Sequence, residues 1–170
     1  DFQHVVPGVQ KQISTKKRDD IAIVLHLLRR FHKVAQKLQD RHDGRPTLKI
    51  TNEYDVQDLL VSLLQIDFDD VRKEDYSPSH AGANSRIDIV LKYLGIIVET
   101  KMTSGQLTDR KLGEELLIDI GRYKGYPEAR HLVVFIYDKG DHVSNKAGLI
   151  RDLESQSTQA FSVHVIINPE

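Results

Sequence analysis

Residues 86–101 read RIDIVLKYLGIIVETK, and the way this stretch folds decides the architecture of the chain. Arg86 to Lys92 alternates polar and apolar side chains at the period of a strand, and Gly95 to Lys101 is a second run rich in β-branched residues. The two read as a hairpin. If it closes through a two-residue turn at Tyr93 and Leu94, Lys92 faces Gly95, and counting back along both strands sets Asp88 opposite Glu99. Side chains alternate with period two, so Lys101 joins the two acids on that sheet face while Ile87, Ile89, Leu91, Val98 and Thr100 point the other way. A slip of one residue would move Asp88 to the opposite face, which the alternation opposes. An exposed face carrying ordinary surface ion pairs is the competing reading of two acids and a lysine. Against it, Ile97 is apolar on the Glu99 side and Ile96 and Val98 are apolar on the other, the pattern of a central strand buried on both faces. Charges inside such a strand indicate a site.

Working outward, His131 to Tyr137 (HLVVFIY) and Phe161 to Ile167 (FSVHVII) read as further strands, and Thr108 to about Tyr123 and Ser144 to Glu154 as helices. Upstream, apolar residues recur at helical spacing from Asp19 or Asp20 to about Gln39, giving one amphipathic helix with an acidic first turn. Its other side carries Arg29, Arg30, Lys33 and Lys37, read as a solvated face. After a break at RHDGRP, Asn52 is the expected N-cap of a second helix, with Asp55 completing a capping box and Leu59, Leu60, Leu63 and Leu64 forming its buried stripe. SPSHAGANS, residues 77–85, is built of turn formers and reads as a loop. Helices interleaved with strands predict an α/β fold, a mixed sheet with helices packed on its faces and an extra N-terminal amphipathic helix. The division expected is a helical extension over residues 1–45 and a single domain carrying the sheet over 46–170.

Composition narrows the chemistry. A net charge of -1 over 170 residues excludes bulk attraction to nucleic acid, so any such contact must be local. The absence of cysteine removes disulfides, thiol nucleophiles and thiolate zinc sites, and leaves carboxylates or histidine for any metal. His26, His32, His131 and His164 show no ligand spacing. There is no Gly-rich phosphate loop and no nucleophile elbow. With no apolar run long enough to span a membrane and no signal-peptide pattern at DFQHVVPGVQ, a cytoplasmic protein is expected. Asp1 in place of Met is compatible with an additional domain or regulatory partner on the N-terminal side.

The spacing D-x(10)-E-x-K, read as Asp88, Glu99 and Lys101, resembles the catalytic signature of the PD-(D/E)XK phosphodiesterases. With NEYDVQDLL from Asn52, SPSHAGANSRIDIVL from Ser77 and LTDRKLGEELLIDIGRYKGYP from Leu107, the chain resembles the DpnII/MboI-type restriction-endonuclease-like domains of bacterial defence proteins. The resemblance runs from about Asn52 to the C-terminus and leaves the first fifty residues outside it. It implies a restriction-endonuclease-like fold in which Asp88 and Glu99 ligate Mg²⁺ or Mn²⁺, helped by the Thr100 backbone carbonyl. Lys101 would position or deprotonate the attacking water. The implied activity is hydrolysis of phosphodiester bonds in DNA, in an effector module of restriction or antiphage defence.

Other residues divide between two readings. Glu53 stands in a first helical turn, where the helix dipole favours any acid; the resemblance would have it complete the metal site. Asp119 and Tyr123 share a helical face at i and i+4 and resemble a Gln-x3-Tyr element found near the scissile phosphate of related nucleases, with Asp in place of Gln and Glu115 competing one turn earlier. Ile87 stands where the nominal motif has proline. Arg86, Lys111, Arg122 and Lys124 are candidate phosphate contacts or solvated charges. His80, in the loop before Asp88, is a candidate substrate contact. A nuclease fold that binds DNA or protein after losing catalysis is the alternative function, and pairing of the N-terminal helix with itself, giving a homo-oligomer, is compatible with either.

Overall fold

The hairpin forms in the expected register. A computed structural model describes residues 18–76, 86–106 and 109–170. In this structure Arg86–Leu91 (β2) pairs antiparallel with Ile96–Met102 (β3), matching Leu91 to Ile96, Val90 to Ile97 and Ile89 to Val98. The turn differs from the two-residue closure expected. Lys92–Leu94 make one turn of 3-10 helix, and Gly95 ends it with φ 64°, donating its N–H to the Lys92 carbonyl. A Cβ at Gly95 would stand 2.5 Å from the Glu128 carbonyl oxygen, so both the left-handed backbone and the close approach require glycine.

Arg72–Tyr76 (β1) pairs antiparallel with β2 on its outer side, and His131–Tyr137 (β4) and Ser162–Asn168 (β5) follow β3 in parallel, giving the order β1-β2-β3-β4-β5. β1 was not anticipated because VRKEDY has no apolar alternation. It is an edge strand, where charge is tolerated and discourages pairing with other chains.

Asp20–Arg29 (α1), Phe31–Gln39 (α2) and Glu53–Leu64 (α3) cover one face of the sheet, packing on Ile89, Leu91, Ile96, Val98, Val133, Phe135 and Tyr137. Asp109–Lys124 (α4) and Lys146–Glu154 (α5) cover the other, against Val90, Ile97, Leu132, Val134 and Ile136. β3 is therefore buried on both sides. The single N-terminal helix of the sequence reading is two, separated by a tightened turn in which the Arg30 N–H reaches the Leu27 carbonyl. α3 begins with the expected Asn52–Asp55 capping box, and the leucine stripe of this helix is buried. Among the described residues no helix is long and apolar enough to cross a membrane.

α1 and α2 share the main core. Phe31 is fully buried, its ring centroid 5.0 Å from that of Phe135 and 4.9 Å from that of Tyr137. Asn168, at the end of β5, accepts the His32 N–H at 2.8 Å and donates to the Arg29 carbonyl at 3.2 Å, tying the sheet to the break between the two helices. Replacing Phe31 with alanine is expected to lower the unfolding free energy by about 3–5 kcal/mol in chemical denaturation, the cost of a large cavity in a packed core. A loss under about 1 kcal/mol, within the range of surface substitutions, would mean that α1 and α2 only lean on the sheet.

Candidate active site

β2 and β3 part company after Ile89 and Val98. Past that point Ile87 packs with the α4–α5 side and Ile89 with the α1–α3 side, so the strict alternation expected for Ile87, Ile89 and Leu91 breaks at Asp88. The gap is closed by a side chain. Asp88 Oδ2 accepts the Thr100 backbone N–H at 2.9 Å and the Thr100 hydroxyl at 2.6 Å. A strand N–H points in the plane of the sheet toward its neighbour, so this carboxylate stands where a ladder carbonyl would otherwise be. Asp88 thus lies in the seam between the strands rather than squarely on one face. Thr100 faces α3, as expected, and its hydroxyl also accepts from buried Gln57 at 3.1 Å.

Glu99 points to the α4 side and is only 6% exposed. Its Oε2 accepts the Tyr123 hydroxyl at 2.6 Å, and its Oε1 lies 3.2 Å from Lys101 Nζ. Burial, and next the nearby Asp88 charge, push the Glu99 carboxyl up to about 7. Tyr123 is pushed upward by its own burial and then by Glu99, so its hydroxyl keeps its proton and serves as a donor. Burial works against the Lys101 charge, but Glu99, Asp119 and Glu53 together outweigh it and hold this ammonium above its ordinary pKa.

Asp119 completes the pair around Lys101. Its Oδ2 lies 3.6 Å from Lys101 Nζ, so one ammonium bridges the carboxylates of β3 and α4, while Arg122 holds its other oxygen at 3.0 Å. Glu53, at the start of α3, accepts the Met102 N–H at 3.2 Å. Burial raises its pKa, and Lys101, Asp88 and Glu115 all act on its charge. Glu115 thus acts on Glu53, whereas Asp119 is the acid that reaches Lys101.

The fold brings together Asp88, Glu99, Thr100, Lys101, Glu53, Asp119 and Tyr123, drawn from β2, β3, α3 and α4. Asp55 instead belongs to the capping box of α3, accepting from Thr51 and Asn52. Arg86 is exposed at the start of β2 and Arg122 serves Asp119, while His80 lies outside the described residues. Gln57 was missed by sequence reasoning, although its place four residues after Glu53 on one helical face is a signal.

A divalent ion suits this donor set. Hard cations of the Mg²⁺ type take oxygen ligands and are commonly held through one or two carboxylates with water completing the shell. Asp88 and Glu99 supply two carboxylates whose mutual repulsion is already expressed in Glu99. Among the described residues no group of three or more His, Cys, Asp or Glu side chains is gathered to hold a metal, so any ion here would rely on water and backbone oxygen as well.

Among curated proteins and solved structures, nothing matches this chain. A protein-family model does: that of the DpnII-MboI family, REase_DpnII-MboI, matches residues 22–170. The match reaches back from Asn52, where the resemblance in sequence began, to the start of α1, whose Val24 and Leu28 belong to the shared core. With a restriction-endonuclease-like sheet, helices on both faces, and a match that spans nearly its whole length, the chain belongs to the DpnII/MboI restriction endonuclease family.

Proposed function

We propose that this chain is a metal-dependent nuclease that hydrolyses phosphodiester bonds in DNA, acting as an effector in bacterial restriction or antiphage defence. The observation that carries the reading is the junction of Asp88, Thr100, Glu99 and Lys101, where two carboxylates and one ammonium meet at the parting of two strands. Holding buried Glu99 close to half-buried Asp88 is unfavourable without compensating charge, and the site makes sense as a place where more positive charge arrives.

Asp88 and Glu99 would hold Mg²⁺ or Mn²⁺ with the Thr100 backbone carbonyl. The chemistry such an ion would supply there is a lowered pKa for a bound water and polarisation of the scissile phosphate. Lys101 stays protonated between Glu99 and Asp119, so it orients the attacking water and stabilises charge growing on the phosphate rather than removing a proton. Tyr123 fixes Glu99, and Asp119 keeps Lys101 from collapsing wholly onto Glu99. Glu53, which accepts the Met102 N–H, would complete the metal site directly or through water.

Cleavage of plasmid, linear duplex, single-stranded DNA and RNA should be compared with Mg²⁺, with Mn²⁺ and after chelation. DNA is expected to be cut only with metal, and Asp88→Ala and Glu99→Ala should each lose at least roughly 10²–10³-fold in rate while remaining folded. Near-normal turnover by either folded variant would remove the assignment. Lys101→Ala is expected to lose a similar factor in turnover with DNA affinity largely kept, because its role belongs to the transition state; equal losses of both would make Lys101 a binding residue instead.

Stability gives a reading independent of turnover. The Glu99 carboxyl rises from 4.5 to about 7 on folding, so its contribution is intact below pH 4.5 and is lost as the pH climbs through about 7. The loss amounts to roughly 3 kcal/mol. Thermal melts across pH 4.5–8 should therefore decline more steeply for the wild type than for Glu99→Gln, and added Mn²⁺ should raise the wild-type Tm at pH 8 far more than at pH 5. Parallel pH curves for the two proteins would show that Glu99 ionises without cost.

A further inference from the structure

Gln57 is only 3% exposed, on a buried face of α3 whose other members are Val56, Leu59, Leu60, Leu63 and Leu64. Glu53, one turn earlier on the same helix, holds the Met102 N–H, and Gln57 reaches β3 two residues before that point, where its Nε2 donates to the Thr100 hydroxyl oxygen at 3.1 Å. A hydroxyl has one proton to give. Thr100 gives its proton to Asp88 Oδ2 at 2.6 Å, the length expected when a hydroxyl donates to a charged carboxylate. Its oxygen can therefore only accept from Gln57, which turns the amide so that Nε2 faces Thr100 and Oε1 faces away. Oε1 is buried and has no hydrogen-bond partner among the described residues.

An acceptor left in that condition costs free energy that an apolar side chain at the same place would not. Packing of α3 does not call for an amide, since the rest of its buried face is apolar. The compensation lies at the other end of the chain of bonds. With Gln57 on its oxygen, the Thr100 hydroxyl is held from turning its proton elsewhere, and both Thr100 donors fall on the one oxygen of Asp88, Oδ2. Hydrogen bonds linked in this way polarise one another. Partners that hold a metal-ligating side chain from behind set its direction and its affinity for the ion.

We propose that Gln57 is a positioning residue that fixes Asp88 through the Thr100 hydroxyl and so prepares this carboxylate for a divalent cation. The proposal rests on reading Asp88 as a ligand of that cation. Gln57 acts from within the helical layer and touches neither the ion nor the DNA, so its effect falls on how well the ion is held.

Calorimetric titration of Mn²⁺ into the full chain without DNA tests this separately from cleavage. Gln57→Met, which keeps the length of the side chain, and Thr100→Val, which keeps the shape but removes the hydroxyl, should each weaken Mn²⁺ binding about tenfold. Thr100→Ser retains the hydroxyl and should bind like the wild type. Because both losses break one link, the double variant should be little weaker than either single one. Gln57→Met should also melt at or above the wild-type temperature, since the orphaned Oε1 is gone. In the metal-free protein its Thr100 amide should exchange hydrogen roughly fivefold faster, as the hold of Asp88 loosens by about one hydrogen bond. The proposal is overturned if Gln57→Met binds Mn²⁺ like the wild type, if the double variant multiplies the two losses, or if Thr100 exchange is unchanged. A Gln57→Met protein that loses stability and keeps its Mn²⁺ affinity would overturn it too, making Gln57 a member of the core alone. Wild-type protein that takes up no Mn²⁺, with Thr100 exchange still accelerated in Gln57→Met, would count against the hydrolytic reading and leave the link from Gln57 to Asp88 standing.

Discussion

A carboxylate that substitutes for a backbone carbonyl holds this site open. Where β2 leaves β3, the Thr100 N–H would lose its ladder partner, and an unsatisfied buried N–H costs free energy comparable to a lost hydrogen bond. Asp88 satisfies it and takes the Thr100 hydroxyl as well. The strands can then separate without an orphaned donor, and the separation brings a second acid, Glu99, beside the first. Had a ladder carbonyl faced Thr100, the sheet would have closed and left no seam. The acid is a structural part of the sheet and a member of the site at once.

Charge in the seam is then distributed by the neighbours. Glu99 is flanked by a neutral donor on one oxygen and an ammonium on the other. Lys101 divides its attraction between Glu99 and Asp119, and Arg122 stabilises Asp119 from the solvent side. The substitution of Asp for Gln at position 119 has a physical consequence here: an amide could accept a hydrogen bond from Lys101 but could not balance its charge. Two acids around one lysine keep that lysine cationic, which suits contact with a phosphate better than proton abstraction.

Much of this was legible in the sequence, for identifiable reasons. The register of β2 on β3 follows from two apolar runs and a short connection, and it survived a wrong turn geometry because both the assumed closure and the 3-10 turn at Lys92–Leu94 leave Leu91 opposite Ile96. The convergence of Asp119 and Tyr123 on β3 follows from helical spacing. The break in alternation at Ile87 was not legible, since it depends on a side chain competing with the backbone for one N–H. β1 was invisible because its charged sequence becomes a strand only by pairing with β2. The division of the N-terminal helix at Arg30 was also hidden, as the apolar periodicity runs through it and the turn is set by the hold of Asn168 on both sides of the break. Gln57 went unnoticed because a polar residue within a leucine-rich helix face looks like an interruption of the core until Thr100 is placed beneath it.

The members of the site straddle the two layers of the molecule. Glu53 and Gln57 come from the helical layer built on α1–α3, Tyr123 and Asp119 from the layer of α4 and α5, and Asp88 and Glu99 from the sheet between them. Neither layer alone assembles the constellation. α4 follows β3 directly in the chain, so the tyrosine that orients Glu99 is contributed by the next element after the strand that carries the acid. A chain that ends before α4 therefore lacks both Asp119 and the tyrosine that orients Glu99, and the constellation is complete only once both helical layers are in place.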